Sequence, residues 1–474
     1  MSDAIIVGAG PNGLACAAAL ATHGVGVTVI EAAETIGGGT RSSELTLPGL
    51  LHDDCSAVHA MAVGSPALST LGLERYGLEW AWPEVDLSHP LDGGSAGAML
   101  HSIDDTAAGL GQAGAAWKRV FGAPSETIDS LNEDILRPLL HLPRHPLRLT
   151  AFGLRAAAPA TVLARALGTP EARALFGGVA AHGFAPLSRP LSSSIGMALI
   201  CACHHYGWPV ARGGSQAIAD ALAAVVVENG GKVETGRPVH SLGELPASDA
   251  VVFDLAPHAV ADIAGGQLPT RVARAYRRYK YGPGAFKVDL AVEGGIPWAD
   301  EVSPKAGTVH VIGSFEELVA AERENNRGRM PERPLVLVGQ QYLADPGRSR
   351  DNVHPIWTYA HVPHGFDGDA TEAILDQIER FAPGLRERIV GKFVRSTAEI
   401  ASYNANYVGG DIIVGANTVW QMLARPRLAI NPYATGIPGV YICSAATPPG
   451  GGVHGMGGYN AAQAVMGQLS GAAS

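Results

Sequence analysis

The feature that most constrains this sequence is a glycine-rich turn close to its first residue. Gly8, Gly10 and Gly13 follow the apolar run 4–7, and Glu31 comes eighteen residues after Gly13, directly behind a second apolar run at 27–30. Glycine permits the tight turn and the close approach of a phosphate, and the N-terminus of a following helix attracts negative charge. The pattern predicts a strand over 4–7, a helix over 14–22 and a strand over 27–30 that bind a dinucleotide, with Glu31 on the adenosine ribose.

The predicted cofactor contacts extend beyond this turn. A second glycine-rich turn, 37–42, and a third, 450–458, enclose further candidates, and the third lies between a predicted strand over 440–443 and a helix over 456–469. A domain for nicotinamide alone does not need a second such turn, so the sequence favours FAD over NAD. Backbone amides at the third turn can stabilise the negative charge of a reduced flavin. The candidates in and beside the three turns are Gly8, Gly10, Pro11, Asn12, Gly13, Gly38, Gly39, Thr40, Arg41, Gly451, Gly452 and Val453. The alternatives are a surface loop with a solvated Arg41 for the second turn and a flexible linker for the third.

Composition excludes several classes of protein. Charged residues make up 16 % of the sequence, whereas they average about 25 % in soluble proteins. Glycine accounts for 60 of the 474 residues. So few charges exclude a coiled coil and an acidic disordered chain. The net charge of −10 without a basic stripe predicts that nucleic acid is not a partner. The stretches 4–30 and 428–474 carry no charge, but Gly and Pro interrupt both, so they are not expected to span a membrane.

The five cysteines are scattered along the sequence. A sparse, odd number of cysteines predicts reduced thiols rather than a disulfide framework, and with it a cytoplasmic location. Cys201 and Cys203 stand beside His204 and His205. A Cys-x-Cys pair alone lacks the usual spacing of zinc ligands, so no metal site is predicted.

With these motifs in view, the chain resembles the phytoene-desaturase-like FAD-dependent oxidoreductases, and within them the branch that includes pyridine nucleotide-disulfide oxidoreductase domain-containing protein 2. Besides the glycine-rich turns, the segments that carry the resemblance are 211–216, 236–239, 284–289, 354–357 and 406–411. The resemblance implies an α/β fold in which a Rossmann-type FAD domain is built from residues 1–75, 205–265 and 425–474. An α+β substrate domain, 76–204 and 266–424, is inserted between these segments, as in amine oxidases and phytoene desaturases. It also implies that the backbone of Val239 meets the adenine and that Ser444 lies beside the cofactor.

The resemblance implies removal of hydride from a long apolar substrate, such as an isoprenoid or an acyl chain, to flavin N5. Desaturation would result, with oxygen, a quinone or another acceptor taking the electrons. A redox-neutral isomerase is an alternative within the same family. An alternative of a different class is a non-catalytic lipid or protein carrier on the same fold.

Three residues are candidates for roles beside the flavin. His59 is a candidate proton acceptor, although a lone histidine is more often structural. Tyr206 and Trp208 precede the Gly213-Gly214 pair and can wall the substrate slot, or they can be ordinary core residues.

Residues 135–170 form a locally basic segment on an acidic protein. The segment has no acidic residue but contains five arginines, namely Arg137, Arg144, Arg148, Arg155 and Arg165. Arginines among apolar residues suit anionic lipid headgroups, so the segment is a candidate lid or peripheral membrane contact. A solvated helical face and a subunit interface are the alternatives.

Overall fold

The computed structural model describes residues 2–138 and 140–472. Met1, Leu139 and residues 473–474 lie outside the described part. Leu139 belongs to the candidate segment 135–170, so the prediction for that one residue lies outside the described residues. The strands are β1 Asp3–Val7, β2 Gly26–Ile30, β3 Ser42–Ser43, β4 His52–Asp53, β5 Trp80–Ala81, β6 Val85–Pro90, β7 Ala96–Met99, β8 Val210–Ala211, β9 Lys232–Glu234, β10 Ala250–Phe253, β11 Gly284–Glu293, β12 Ala306–Val311, β13 Val336–Gly339, β14 Val353–Val362, β15 Ile389–Arg395 and β16 Val440–Ile442. The helices are α1 Pro11–Ala21, α2 Ala60–Val63, α3 Pro66–Ser69, α4 Ile103–Gly109, α5 Gly114–Glu126, α6 Ile128–Ile135, α7 Pro146–Ala156, α8 Ala160–Leu163, α9 Pro170–Ala181, α10 Ser194–Tyr206, α11 Gln216–Glu228, α12 Pro257–Ala264, α13 Thr270–Arg277, α14 Phe315–Asn325, α15 Thr371–Phe381, α16 Leu385–Arg388, α17 Thr397–Tyr403, α18 Val419–Leu423 and α19 Met456–Ala472.

A five-stranded parallel sheet has the order β16-β10-β1-β2-β9. Helices α1, α11 and α19 cover one of its faces, and α12 and α13 cover the other. Because both faces are covered, its central strands are apolar runs without alternation. The fold class predicted from the sequence, a Rossmann-type unit built from separated segments, is confirmed.

A mixed seven-stranded sheet has the order β15-β11-β14-β13-β12-β6-β7, in which only the pairing of β12 with β6 is parallel. One face packs on α15 and α16. The other face lies under the helical layer of α5, α9 and α10. All seven strands come from the segments predicted to form the substrate domain.

The predicted elements near the cofactor motifs form, with small shifts at their ends. The helix predicted over 14–22 begins at Pro11 instead, because proline lacks an amide hydrogen and is well suited to a first helical position. The strand predicted over 440–443 ends at Ile442, and the helix predicted over 456–469 continues to Ala472. No helix within 2–138 or 140–472 combines the length and apolarity needed to cross a membrane.

Candidate functional site

The first glycine-rich turn lies at the carboxyl end of β1, where α1 begins. Gly8 has a φ of 102°, in the left-handed region. A Cβ on Gly13 would overlap the Gly8 carbonyl oxygen, and a Cβ on Gly10 would lie 2.6 Å from Asp254 Oδ2. The turn therefore requires glycine for packing against its own backbone and against the end of β10.

The first turn of α1 keeps one amide for a ligand. Pro11 has no amide hydrogen, the Gly13 amide donates to Asp254 Oδ2 at 2.8 Å, and the Leu14 amide closes the turn on Gly10. Within the described residues, the Asn12 amide has no protein acceptor. It lies at the positive end of the helix dipole, which favours an anion such as a phosphate.

Asp254 is a part of this site that the sequence reasoning missed. Burial raises the pKa of its carboxyl to about 7, and the charge of Glu31 adds to this rise. The hydrogen bond from the Gly13 amide acts in the opposite direction and lowers the pKa. The signal in the sequence was an acidic residue placed directly after the buried strand 250–253. Near neutral pH the carboxyl can therefore change its charge within the turn.

Glu31 lies at the carboxyl end of β2, as predicted. Its Oε2 accepts the Ala9 amide at 2.7 Å, and its Oε1 accepts the Ala33 amide at 3.0 Å. The Gly236 amide donates to the Ala33 carbonyl at 2.8 Å, so the segment that contains Val239 lies beside Glu31. The two predicted contacts to the adenosine end are thus brought together.

The second glycine-rich turn lies directly on the first. The Gly37 amide donates to the Ala9 carbonyl at 2.8 Å, and a Cβ on Gly38 would lie 3.1 Å from Gly10 Cα. Thr40 is buried and donates its hydroxyl to the Gly37 carbonyl at 2.8 Å. The loop alternative for this turn is wrong, because these contacts fix it to the phosphate-binding turn.

Arg41 is almost buried rather than solvated. Its Nη2 donates to the Thr35 carbonyl at 2.8 Å and lies 3.5 Å from Glu31 Oε1. Its guanidinium carbon lies 5.3 Å from the centre of the Tyr403 ring. Arg41 therefore connects the adenosine end of the candidate site with the aromatic residues described below.

The third glycine-rich turn leads into α19, and the first turn of α19 packs against the first turn of α1. Gly458 leaves no room for a Cβ because it meets the Asn12 carbonyl. Ser444 is buried at the end of β16, where its hydroxyl accepts the Ala446 amide at 3.3 Å. Val453 has a φ of 56°, which is rare for a β-branched residue. Two helix N-termini therefore lie side by side, and the linker alternative is wrong.

Gly451 and Gly452 bring this third turn close to the substrate domain. A Cβ on Gly451 would lie 3.5 Å from the Ile413 carbonyl oxygen, and a Cβ on Gly452 would lie 3.1 Å from His454 Cδ2. Ile413 packs on the apolar core under the seven-stranded sheet. The C-terminal turn thus lies where the two sheets of the protein meet.

A narrow cleft, here called the aromatic chamber, adjoins the second glycine-rich turn. The Tyr403 hydroxyl donates to the Gly38 carbonyl at 3.1 Å, and the Tyr407 hydroxyl occupies the space of a Cβ on Gly39. The chamber is lined by Asp54, Cys55, Ala285, Lys287, Trp357, Tyr359, Arg395, Ile400, Tyr403, Tyr407 and Ile412. Four aromatic rings line it and few polar atoms face its space, so its surface is of the kind that contacts an apolar ligand.

A buried ion pair, Lys287 with Asp289, lies in one wall of the chamber. The two side chains share one face of β11 because they are two residues apart, and Lys287 Nζ pairs with the Asp289 carboxylate. Lys287 Nζ also lies 5.7 Å from the centre of the Trp357 ring, and His52 Nδ1 lies 3.6 Å from Asp289 Oδ1. The signal in the sequence was a pair of charges inside an otherwise apolar strand.

A second buried ion network joins the two domains beside the chamber. Arg348, which is 1 % exposed, donates to Asp53 Oδ2 at 2.6 Å, to Asp345 Oδ2 at 3.1 Å and to the Ala211 carbonyl at 2.7 Å. Asp53 Oδ1 accepts the Ser215 amide at 2.7 Å. Burial alone would raise the pKa of Asp53, but the charge of Arg348 and these hydrogen bonds outweigh it and lower that pKa.

His59 lies in this network, not in the wall of the chamber. Its Nε2 is 2.8 Å from Ser215 Oγ, and its buried Nδ1 has no partner. Burial lowers the pKa of His59 to about 4, although the charge of Asp53 opposes the shift. The imidazole is therefore neutral at neutral pH and able to accept a proton, and its catalytic role stays a prediction.

Tyr206 and Trp208 do not line the aromatic chamber. The Trp208 indole donates to Thr308 Oγ1 at 3.0 Å under the helical layer. The Tyr206 hydroxyl bonds to Asp129 and accepts from Asn132 at 3.2 Å. Both residues contact the helices that cover the seven-stranded sheet, and their role as walls of a substrate slot stays a prediction.

The residues around Cys203 do not form a metal centre. Cys203 Sγ lies 3.3 Å from Asp86 Oδ2, and His204 Nε2 accepts from the Trp117 indole at 2.9 Å. Over the described ranges, no group of three or more His, Cys, Asp or Glu side chains is arranged to hold a metal ion.

Four histidines, three of them buried and His182 half-buried, form a cluster behind Tyr359. Ring contacts join His310 to His89 and His182, and His361, which stacks on Tyr359, lies close enough for its charge to add to burial in lowering the pKa of His310. His182 Nε2 lies 2.9 Å from His310 Nε2, and burial lowers the pKa of His89 to about 4 and that of His182 to about 3. No sequence signal could have found this cluster, since its members come from four distant segments.

Comparison with known proteins supports the fold assignment. Residues 6–71 match a family model described as an NAD(P)-binding Rossmann-like domain. An oxidoreductase from Methanosarcina mazei superposes with a TM-score of 0.65 at 16 % identity, over 98 % of this chain and all of that one. Wild-type putrescine oxidase bound to putrescine superposes with a TM-score of 0.61 at 17 % identity, over 99 % of each chain. The chain therefore shares the fold of these two solved structures.

In sequence, the chain is similar to the rat pyridine nucleotide-disulfide oxidoreductase domain-containing protein 2. The two are 24 % identical over 98 % of this chain and 94 % of the rat protein, and the mouse protein of the same name is 22 % identical. These matches support the predicted resemblance to that protein. The predicted resemblance to the phytoene desaturases stays a prediction.

Proposed function

We propose that this protein is an FAD-dependent oxidoreductase that removes hydride from an apolar polyene or acyl substrate in the aromatic chamber. One observation carries the proposal. The phosphate-binding turn and the aromatic chamber are joined by Gly38 and Gly39, which touch Gly10 on one side and Tyr403 and Tyr407 on the other. A dinucleotide that extends from Glu31 past these two glycines would bring its far end to the chamber.

The residues on this path suit FAD. Glu31 would hold the ribose, the Asn12 amide and the two helix N-termini would hold the pyrophosphate, and the third glycine-rich turn would lie along the flavin. When bound, FAD would accept the hydride that the substrate carbon loses and would pass the electrons to oxygen, a quinone or another acceptor. The free Asn12 amide and the glycine surfaces around it are features of this chain that match such a ligand.

The chamber residues would orient the substrate and exclude water. Tyr359, Tyr403, Tyr407 and Trp357 offer flat apolar surfaces that can hold a polyene or an acyl chain close to the flavin. The substrate must also lose a proton to form a double bond. His59, the acceptor predicted from the sequence, lies in the Arg348 network beside the chamber rather than in its wall, so the turnover of the His59→Ala variant tests its role. The reaction balances, because one carbon loses a hydride to the flavin and its neighbour loses a proton, which leaves a double bond between them.

A protonated amine suits this chamber less well than an apolar molecule. Lys287 and Arg395 both lie in its wall, and although Asp289 and Asp54 partner them, a third cation would have to enter a largely apolar cleft. This argument separates the proposed substrates from the putrescine named for one of the structural neighbours.

Identification of the bound cofactor is the first test. The protein is purified, its absorbance is recorded, and any cofactor released on denaturation is identified by chromatography and mass. Release of FAD is expected. A colourless protein that releases no flavin would overturn the proposal and favour the carrier, and release of NAD would overturn the preference for FAD.

Anaerobic reduction is the second test. The yellow protein is mixed with polyenes and acyl compounds, with putrescine as the matched amine control, and bleaching of the flavin absorbance is followed. Bleaching by an apolar compound, whose product is two hydrogens lighter, is expected. Bleaching by putrescine alone would refute the substrate class, and a product of unchanged mass formed without net bleaching would identify the isomerase.

A further inference from the structure

Large apolar side chains are exposed mainly in two segments, here called the docking face: residues 140–162 and 419–430. Among the described residues, ten of the thirteen strongly exposed large apolar side chains belong to these segments. Leu142 is 92 % exposed, Leu147 86 %, Leu154 75 % and Ile430 93 %. Scattered single residues of this kind are normal on a surface, but such a concentration marks an interaction site.

The two segments lie next to each other, although they are almost 260 residues apart in the sequence. At one end, the Leu191 amide donates to the Ala157 carbonyl at 2.9 Å, and Leu191 lines a narrow cleft together with Val419 and Met422. This end of the first segment therefore lies close to the second segment.

Helix α7 presents its apolar stripe outward. Leu147, Ala151 and Leu154 follow one another at helical spacing and are all exposed, while Phe152 and Ala156 face the core. A helix that packs only on its own domain keeps leucines at such spacing inside. The outward apolar stripe of α7 is therefore suited to contact an apolar surface outside the protein.

The charges of the docking face favour an anionic occupant. Residues 135–170 and 412–474 contain no Asp or Glu, and Arg148 and Arg165 are exposed within the first segment. A second copy of this chain, docked by the same face about a two-fold axis, would bring arginines against arginines. A lipid surface with anionic headgroups instead offers apolar chains to the leucines and negative charge to the arginines.

We propose that the docking face binds the surface of a bilayer that contains anionic lipid. The shared cleft lies between this face and the chamber, because Asn417, which lines it, donates to the Gly183 carbonyl at 3.0 Å. The next residue, Phe184, lies with its ring parallel to that of the chamber residue Tyr359, 6.3 Å between centres.

Vesicle flotation tests the docking face without flavin reduction or substrate. The purified protein is floated with vesicles of phosphatidylcholine alone and with vesicles of equal parts phosphatidylcholine and phosphatidylglycerol, at low and high salt. We expect binding to the anionic vesicles, weaker binding at high salt, and little binding to phosphatidylcholine. The double variant Leu147→Ser/Ile430→Ser should lower the vesicle partition constant about tenfold or more, since each side chain loses its transfer from water.

The matched control is Val227→Ser/Val390→Ser, because these valines are 58 % and 48 % exposed but lie outside the docking face. The control should bind like the unchanged protein, and all variants should retain the same cofactor content. Absence of vesicle binding, or equal binding by both double variants, would overturn the proposal. So would a dimer in sedimentation that Leu147→Ser/Ile430→Ser converts to monomer, because that result would assign the face to a second copy. A colourless protein that binds vesicles as expected would refute only the proposed function.

Discussion

Replacement of Arg348 by Met should destabilise the fold strongly, because Arg348 is the only buried cation we find between two buried carboxylates within the described ranges. Asp53 and Asp345 are 1 % and 3 % exposed, and both lie within hydrogen-bond distance of the Arg348 guanidinium. Methionine fills most of the volume but supplies no charge. Arg348→Met therefore leaves two carboxylates in a place that water does not reach.

The expected cost at neutral pH is about 3–5 kcal/mol of the free energy of unfolding, the range for a buried pair that loses one partner. That is a large share of the total stability of about 5–15 kcal/mol of a folded protein. The cost should depend on pH. In the unchanged protein the pKa of Asp53 is lowered, so its contribution is present above the ordinary carboxyl pKa and is lost as the pH falls below it. In Arg348→Met, only the hydrogen bonds from Ser215 and Ser42 still oppose burial, so that pKa rises and Asp53 takes up a proton at a higher pH.

The deficit of Arg348→Met relative to the unchanged protein should therefore shrink between about pH 8 and pH 5. Guanidinium unfolding followed by tryptophan fluorescence at several pH values measures it. Arg350→Met is the control, because the Arg350 side chain is 64 % exposed and should cost less than about 0.5 kcal/mol. The double variant Asp53→Asn/Arg348→Met should recover part of the loss. A deficit no larger than that of Arg350→Met, or one that grows as the pH falls, would refute the reasoning.

Three further predictions concern the glycine-rich turn and the histidines. Gly13→Ala should release the cofactor and lower the free energy of unfolding by about 1–3 kcal/mol, because its Cβ would overlap rigid backbone. Cofactor content and melting temperature measure these effects. The control Gly122→Ala, in an open helical position, should leave both unchanged. Acid should destabilise the protein progressively below about pH 6.5, because His89 and His182 have lowered pKa values in the folded state and the unfolded chain binds protons first as the pH falls. Each contributes about 2 kcal/mol of destabilisation at pH 5, so a melting temperature that stays constant from pH 7 to pH 5 would contradict the prediction. His59→Ala should slow turnover of the apolar substrate about a hundredfold with unchanged cofactor content, and unchanged turnover would remove His59 as the proton acceptor.

The sequence by itself determined the dinucleotide-binding part of this protein. Gly8, Gly13 and Glu31 occupy the positions that their spacing predicts, because a strand, a tight turn and a helix are local structures with local rules. The second and third glycine-rich turns could be connected with the first from their composition and their neighbouring strands. Their exact contacts, such as that of Gly458 with Asn12, needed the fold.

Only the tertiary structure decided what surrounds the chemistry. The aromatic chamber, the Lys287–Asp289 pair and the histidine cluster gather residues from distant strands, and their positions follow from the order and register of the seven-stranded sheet. For the same reason His59 lies in the network of Arg348, a position that its neighbours in sequence could not reveal. The exposure of Leu147 and Ile430 was equally hidden, since an apolar residue in a sequence carries no mark of the side on which packing will place it. Local spacing determines a turn, whereas burial and charge pairing depend on contacts that only the folded chain creates.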